Sequence, residues 1–309
     1  IFSMQYFEHN DSSFLAVANR NNNSVDFYDF SIGRLFKRVD IPVNDAPYTL
    51  SNMQGIFVHN ADSVFVYARG DLQKTLLTGL HGRLTSAEWY GAKPIDRFPL
   101  VNHLSTTTAP TILRNKKIYA AQYPWVPPPE IQDRYAKSSI ETYEVTYDLI
   151  ADKTSFLPPY IPEEIQNGYW PGMYAMLGSR AIDKHGRFVY DWQMLPHLYV
   201  TDYQGTSFKV YAHREGDKLY APPAGKQPKG KEETTNQDDL RIAITHSSNQ
   251  GTLYNPYQDV FYRIISLPIK YNPKKHLNFT ALDLKPIVLL TLDSDFNILA
   301  TIELPAKTY

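Results

Sequence analysis

Along this chain apolar and aromatic residues recur at every second position in short runs, and each run ends at Asn, Asp, Gly, Ser or Pro. Period-2 alternation marks a half-buried strand, because successive side chains of a strand point to opposite faces. The runs come in groups of four that repeat about every 40 to 60 residues, the spacing of propeller blades. The first group predicts strands over Ser3–His9, Phe14–Ala18, Ser24–Asp29 and Leu35–Ile41. The second covers Gly55–Val58, Val64–Ala68, Thr75–Leu80 and Leu84–Tyr90. The third has Thr111–Leu113 and Ile118–Tyr123, then, after an insertion, Glu141–Leu149 and Thr154–Leu157. The fourth is the cleanest, with Ser179–Ile182, Phe188–Trp192, Leu198–Asp202 and Phe208–Ala212. A fifth is drawn from Thr252–Tyr254, Val260–Leu267, Ile287–Leu292 and Leu299–Leu304. The expected fold class is therefore all-β, a β-propeller of four-stranded antiparallel blades forming a single domain over residues 1–309.

Loop length separates the two ends of these modules. With the strands of a blade lettered a to d from the centre outwards, the a–b and c–d turns share one end, and the b–c and d–a connections share the other. The first set is short throughout and rich in Asn, Asp and Gly, as at Asn60-Ala61-Asp62, Arg114-Asn115-Lys116, Lys184-His185-Gly186 and Tyr203-Gln204-Gly205. Every long segment falls in the second set: Pro42–Gln54, Gly91–Pro110, Tyr123–Ile140, Pro158–Gly178, His213–Leu240 and Pro268–Pro286. Ligand sites favour long loops on a rigid scaffold, so the sorting places function on that face.

Composition narrows the class. The chain holds 23 Tyr, 22 Pro, 15 Gly and no Cys in 309 residues, with 43% apolar residues. Aromatic residues suit pleated surfaces while Pro and Gly break elements, which excludes a helical bundle, and the apolar fraction excludes disorder. Thirty-one basic against 32 acidic residues leave a formal charge of -1, so no overall field draws the chain to nucleic acid or an anionic membrane. The lack of Cys removes disulfides and thiolate chemistry. The chain starts at Ile1 with no basic stretch and apolar run behind it, which predicts that a signal peptide has been removed. The apolar run Ile287–Leu292 is far short of the ~20 residues that span a bilayer.

Three segments carry a family likeness: Phe14–Asp29, Asn60–Tyr67, and above all Tyr254-Asn255-Pro256-Tyr257-Gln258-Asp259-Val260-Phe261-Tyr262-Arg263. Together they resemble the Bacteroidetes family named for domain of unknown function 4221, with Asn255 and Phe261 departing from its pattern. The resemblance implies a six-bladed, TolB-like propeller exported to the periplasm or cell envelope, commonly as a lipoprotein whose lipid anchor lies outside this chain. It carries no established activity and transfers no catalytic residue. It also implies that the natural chain continues past Tyr309, the sixth blade being drawn from a strand at Leu240–Thr245 and residues outside this chain.

Candidate chemistry is sparse. Asp293-Ser294-Asp295-Phe296-Asn297 opens like a calcium loop but lacks the following Gly and a Glu at the twelfth position, Leu304, so it reads as a c–d hairpin turn. No two His have a close metal-binding spacing, and His59 and His185 sit in or beside short turns. No Gly-x-Ser-x-Gly elbow, P-loop or dinucleotide fingerprint occurs, and the pairs Glu163-Glu164, Glu232-Glu233 and Asp238-Asp239 read as solvated loop charges. Residues 226–239 read as a mobile polar loop. Neither cofactor nor metal is expected. The aromatic residues of the long-loop face are more informative: Arg69, Trp125, Arg134, Tyr169, Trp170, Trp192 and His197 are the candidate ligand contacts, since Trp, Tyr and Arg concentrate binding energy. Arg263, inside a strand, reads as a structural partner between blades. The leading expectation is a non-enzymatic module that binds a protein, peptide or glycan. The alternative is a hydrolase or lyase with a metal or carboxylates in a central channel.

Overall fold

The computed structural model describes residues 3–41, 53–68, 74–78, 85–88, 101–104, 108–124, 143–148, 153–157, 178–193, 195–213 and 236–304. The chain divides into two compact units, residues 1–128 with 141–159 and residues 129–140 with 160–309.

Among the described residues the first unit holds three antiparallel sheets. β1 (Met4–His9), β2 (Ser12–Asn19), β3 (Ser24–Asp29) and β4 (Arg34–Asp40) pair in chain order, as do β5 (Met53–Asn60), β6 (Ser63–Ala68), β7 (Lys74–Thr78) and β8 (Thr85–Glu88). The first hairpin turns at Asn10-Asp11, whose φ values of 48° and 59° make the two-residue loop that matches strand twist. Asn115-Lys116, at 49° and 60°, repeats the device in the third sheet. That sheet runs β10 (Ile112–Arg114), β11 (Lys117–Pro124), β12 (Tyr143–Asp148), β13 (Lys153–Leu157), with β9 (Val101–Leu104) also paired to β11. The sequence pattern shows no strand inside Gly91–Pro110, and β9 corrects this. It covers Ala121–Pro124 of β11 while β10 covers Lys117–Tyr119, so the innermost strand is supplied in two pieces.

These sheets stack through alternate residues. Ala16, Val25, Phe27 and Val39 of the first sheet meet Ile56, Val58, Val64 and Val66 of the second in one buried cluster. Phe57 and Phe65 turn the other way, onto Ile118 and Ala120. One charge is buried in the first sheet: Asp26 accepts from Arg38 Nε and Nη2 at 2.7 and 2.9 Å, from Asn19 at 2.9 Å and from Ser24 at 2.8 Å. Burial pushes its carboxyl up, but these donors and the Arg38 charge outweigh it and hold the group below the usual range.

The second unit holds β14 (Gly178–Ile182), β15 (Phe188–Trp192), β16 (His197–Thr201) and β17 (Ser207–Tyr211), again in chain order. Beyond it come β18 (Ser248–Asn255), β19 (Val260–Ser266), β20 (Ile287–Leu292) and β21 (Ile298–Leu304). Val189, Leu198 and Val200 of the former sheet pack on Phe261, Ile265, Val288, Leu290 and Leu292 of the latter. The Asp293–Asn297 segment is the hairpin turn expected between β20 and β21. Asp293 Oδ1 accepts the amides of Asp295 and Asn297 at 2.9 and 2.8 Å, and the Asn297 side chain and these amides hold its carboxyl below the usual range.

The strand expected at Leu240–Thr245 is instead the second half of a helix, α1 (Asn236–Thr245). Leu240, Ile242 and Ile244 alternate as a strand would. Yet Leu240 and Ile244, one helical turn apart, are the buried pair, packed on Ala281, with Arg241 exposed between them. Residues 236–239 of the polar stretch expected to be mobile belong to this helix too, and residues 226–235 lie outside the described ones. The long connection Pro268–Pro286 carries a 3-10 helix, Phe279–Leu284. Just after it, buried Lys285 reaches the open end of α1, donating from Nζ to Ala243 O at 2.7 Å, His246 O at 2.8 Å and Ser248 Oγ at 3.4 Å. Such carbonyls have no partner within the helix, so the lysine caps them.

Burial pushes the Lys285 amine down to about 8 from an ordinary 10.5. Between those pH values the unfolded chain binds more protons than the folded one, so this group makes stability rise with pH across that window. Urea denaturation at about pH 7.5 and about pH 10 therefore gives a more positive pH slope for the natural sequence than for Lys285→Met. Equal slopes contradict the assignment.

Candidate ligand-binding site

The b–c connection between β15 and β16 is where the described candidates meet. It is built around one buried guanidinium. Arg263, in β19, and Asp191, in β15, both have fully buried side chains, and Arg263 Nη2 lies 2.8 Å from Asp191 Oδ1. Arg263 Nε donates to Asp191 Oδ2 at 3.2 Å, Nη2 also to Leu195 O at 3.0 Å, and Nη1 to Pro196 O at 2.8 Å and to Ala212 O. All five guanidinium donors are thus used. Asp191 is satisfied as fully, since Oδ1 also accepts from Asn249 Nδ2 at 2.6 Å and Oδ2 from Thr252 Oγ1 at 2.7 Å.

Asn249 extends the grip on the same turn, its amide group reaching Trp192 O at 2.8 Å and Leu195 O at 2.7 Å while its backbone amide donates to Gln193 O at 2.8 Å. A bulge in β18 between Asn249 and Gly251 aims this side chain inward. Gly251, at φ 148°, takes a backbone conformation that a residue with a Cβ rarely adopts. The inter-blade role expected of Arg263 is the observed one. It ties β19 to β15, to the b–c turn and to the chain leaving β17.

On the opposite face of the β14–β17 sheet, register lines up two rows of side chains at this end. Gly178 pairs with Trp192 and His197 with Tyr211. The next row is Arg180, Tyr190, Tyr199 and Lys209. His197 sets its ring edge-on to Tyr211 at 5.6 Å and to Tyr199 at 6.4 Å. Burial falls outward along the rows: Arg180 and Tyr199 are buried, His197 is intermediate and Tyr211 is half exposed. Trp192 is 4% exposed, and its indole Nε1 is a buried donor with no hydrogen-bond partner among the described residues. Its ring lies flat beside Gly178, whose missing Cβ would meet it at 3.5 Å. An unpaired buried donor costs about 1–3 kcal/mol, a cost that a ligand acceptor removes.

Of the sequence candidates, Trp192 and His197 share this end of one sheet. Arg69, Trp125, Arg134, Tyr169 and Trp170 lie outside the described residues, as do Glu163-Glu164 and Glu232-Glu233. His59 and His185 are exposed at their turns. Among the described residues no group of three or more His, Asp or Glu could hold a metal ion. Tyr199, Tyr211 and Arg180 are not singled out by the sequence because they sit in predicted strands, where a side chain reads as part of the blade. Pairing register is the signal that finds them.

No family model and no curated protein matches the chain. Among solved structures, a DUF4221 family member from Bacteroides vulgatus superposes with a TM-score of 0.76, covering 99% of this chain and 82% of its own at 17% identity. A luciferin-regenerating enzyme superposes at 0.52, covering 99% of this chain and 76% of its own at 6% identity. At identities this low the likeness shows the fold alone. The protein is an all-β chain of propeller type, built of four-stranded antiparallel blades. The DUF4221 likeness carried by Phe14–Asp29, Asn60–Tyr67 and Tyr254–Arg263 thus holds in three dimensions.

Losing one partner of the Asp191–Arg263 pair strands the other as a buried charge, which costs about 3–5 kcal/mol. Arg263→Met therefore lowers stability by that amount in denaturant titration. A loss under ~1 kcal/mol would show that the pair does not hold this end together.

Proposed function

We propose that the protein is a non-enzymatic binding or scaffold propeller of the DUF4221 type, a single six-bladed domain exported to the cell envelope, which takes a protein, peptide or glycan ligand on its long-loop face. The observation that carries this reading is the Trp192–His197–Tyr211 row, with an indole donor unpaired at 4% exposure beside ring faces that open to solvent at Tyr211. An aromatic row with one unmet donor suits a neutral ligand that offers a ring or amide face and an acceptor oxygen. Arg69, Trp125, Arg134, Tyr169 and Trp170 are proposed to add contacts from neighbouring long connections.

The fully satisfied Arg263–Asp191 network supports a rigid scaffold, because neither charge is left over to move a proton. Among the described residues no helix is long and apolar enough to cross a membrane.

A thermal-shift screen of neutral oligosaccharides and short peptides, run beside metal analysis, tests the proposal. At least one compound raises the melting temperature, and both Trp192→Ala and His197→Ala abolish that shift. His197→Ala guards against loss of folding in the more deeply buried Trp192 variant. A stoichiometric bound metal whose removal lowers the melting temperature would replace this reading by the enzyme alternative.

A further inference from the structure

We infer that two copies of the chain pair edge to edge through β21, joining two four-stranded β18–β21 sheets across a two-fold axis at Thr301. The pairing is antiparallel, and it goes beyond the binding reading without depending on it.

β21 is the last strand of its sheet, and among the described residues it pairs with β20 alone. Its other side therefore presents a row of backbone N–H and C=O groups, carried by every second residue. These groups lie in the plane of the sheet, so a blade stacked on either face does not reach them. All seven residues of β21 are exposed, and its large aliphatic side chains, Ile298, Leu299, Ile302 and Leu304, are between 42% and 60% exposed.

Edges open to water are ordinarily blunted by charge. β4 has the same length as β21 and carries Arg34, Lys37, Arg38 and Asp40, and β17 carries Lys209 among five residues. β8 and β13 offer four and five residues, with Ala87 and Leu157 their only aliphatic side chains. β21 carries Glu303 as its single charged residue.

The occupant follows from setting each strand against a copy of itself. Antiparallel pairing over the full length places the middle residue opposite its own counterpart. In β4 and β17 that residue is Lys37 or Lys209, and like charges directly opposite one another destabilise the pair. In β21 it is Thr301, and a Thr–Thr cross-strand pair is favourable. Ile298 then meets Leu304, Ala300 meets Ile302, and Glu303 meets Leu299 rather than a second Glu303. Parallel pairing would instead set the two Glu303 side chains together. The bulge in the β20–β21 ladder is confined to the start of β21 and leaves Ala300–Leu304 in unbroken register with β20, so the axis lies in regular strand. A two-fold contact closes at two copies, which yields a dimer and not a filament.

Sedimentation equilibrium of Ile1–Tyr309 tests the pairing: the mass rises from one chain to two between about 1 μM and about 1 mM. Ala300→Glu and Ile302→Lys each raise the dissociation constant at least about tenfold, since every change acts twice across the axis. Combined, they restore association to within about threefold of the natural sequence, because each new carboxylate meets a new ammonium of the other copy. The chain has no Cys, so Thr301→Cys supplies a lone thiol that a short bis-maleimide joins into a covalent dimer, whereas Lys37→Cys stays monomeric. That readout decides the matter even where a charged variant fails to fold. A chain that remains monomeric to about 1 mM overturns the inference, and so does a dimer that both single changes leave intact, since it would use another surface. Failure of the double variant to recover also overturns it, by reducing the contact to unspecific apolar association.

Discussion

One buried ion pair organises the second unit. Arg263 and Asp191 are 72 residues apart in sequence and belong to different sheets. Between them they satisfy nine hydrogen-bonding positions: five guanidinium donors and the four acceptor positions of the carboxylate. Burying both charges is expensive, and only such complete pairing offsets the cost. A hydrophobic pair could pack as well, but it could not also hold three separate carbonyls, those of Leu195, Pro196 and Ala212. The first two belong to the connection that sets the Trp192–His197–Tyr211 row, and the third to the chain leaving β17. The pair therefore fixes a loop end as well as a blade interface.

The first unit uses a lighter version of the same device. Asp26 is buried, but Arg38 is 39% exposed on the outer strand, and the remaining acceptor positions go to Asn19 and Ser24. An arginine open to water contributes less when paired, because solvent screens it. This pair orders the strands of one sheet, whereas Arg263 joins two. The short-turn ends are settled more locally, by Asp183, Asp202 and Asp293, each accepting backbone amides of its own hairpin.

Much of the strand pattern is legible in the sequence, for a physical reason. Ser24–Asp29, Phe188–Trp192 and Ile287–Leu292 are bounded by strong turn residues, and their observed ends coincide with those expected. β9 is not legible because four residues carry too little alternation to stand out. Leu240–Thr245 misleads because Leu, Ile and Ile at alternate positions satisfy a strand and a helix alike, and packing on Ala281 decides between them. Of the site, the indole and the imidazole are visible in sequence as loop-face aromatics. Their partners Tyr199 and Tyr211 are not, because only register shows which face a strand residue takes. Asp191 inside the aromatic run Phe188–Trp192, and Arg263 inside an apolar run, are two buried charges of opposite sign. That composition is the sequence trace of the network, although nothing in it specifies the pairing.

The Arg263–Asp191 network, with Asn249, ties Trp192, Leu195 and Pro196 to β18 and β19. Native-state hydrogen exchange reads this directly at two amides: Leu195, which donates to Trp192 O at 3.1 Å, and Asn249, which donates to Gln193 O at 2.8 Å. If the network holds, both exchange only through opening on the scale of global unfolding, and Arg263→Met speeds them far more than it speeds the core amides of β19. Exchange of Leu195 and Asn249 at the rate of an ordinary surface loop, unchanged by that substitution, would contradict the claim.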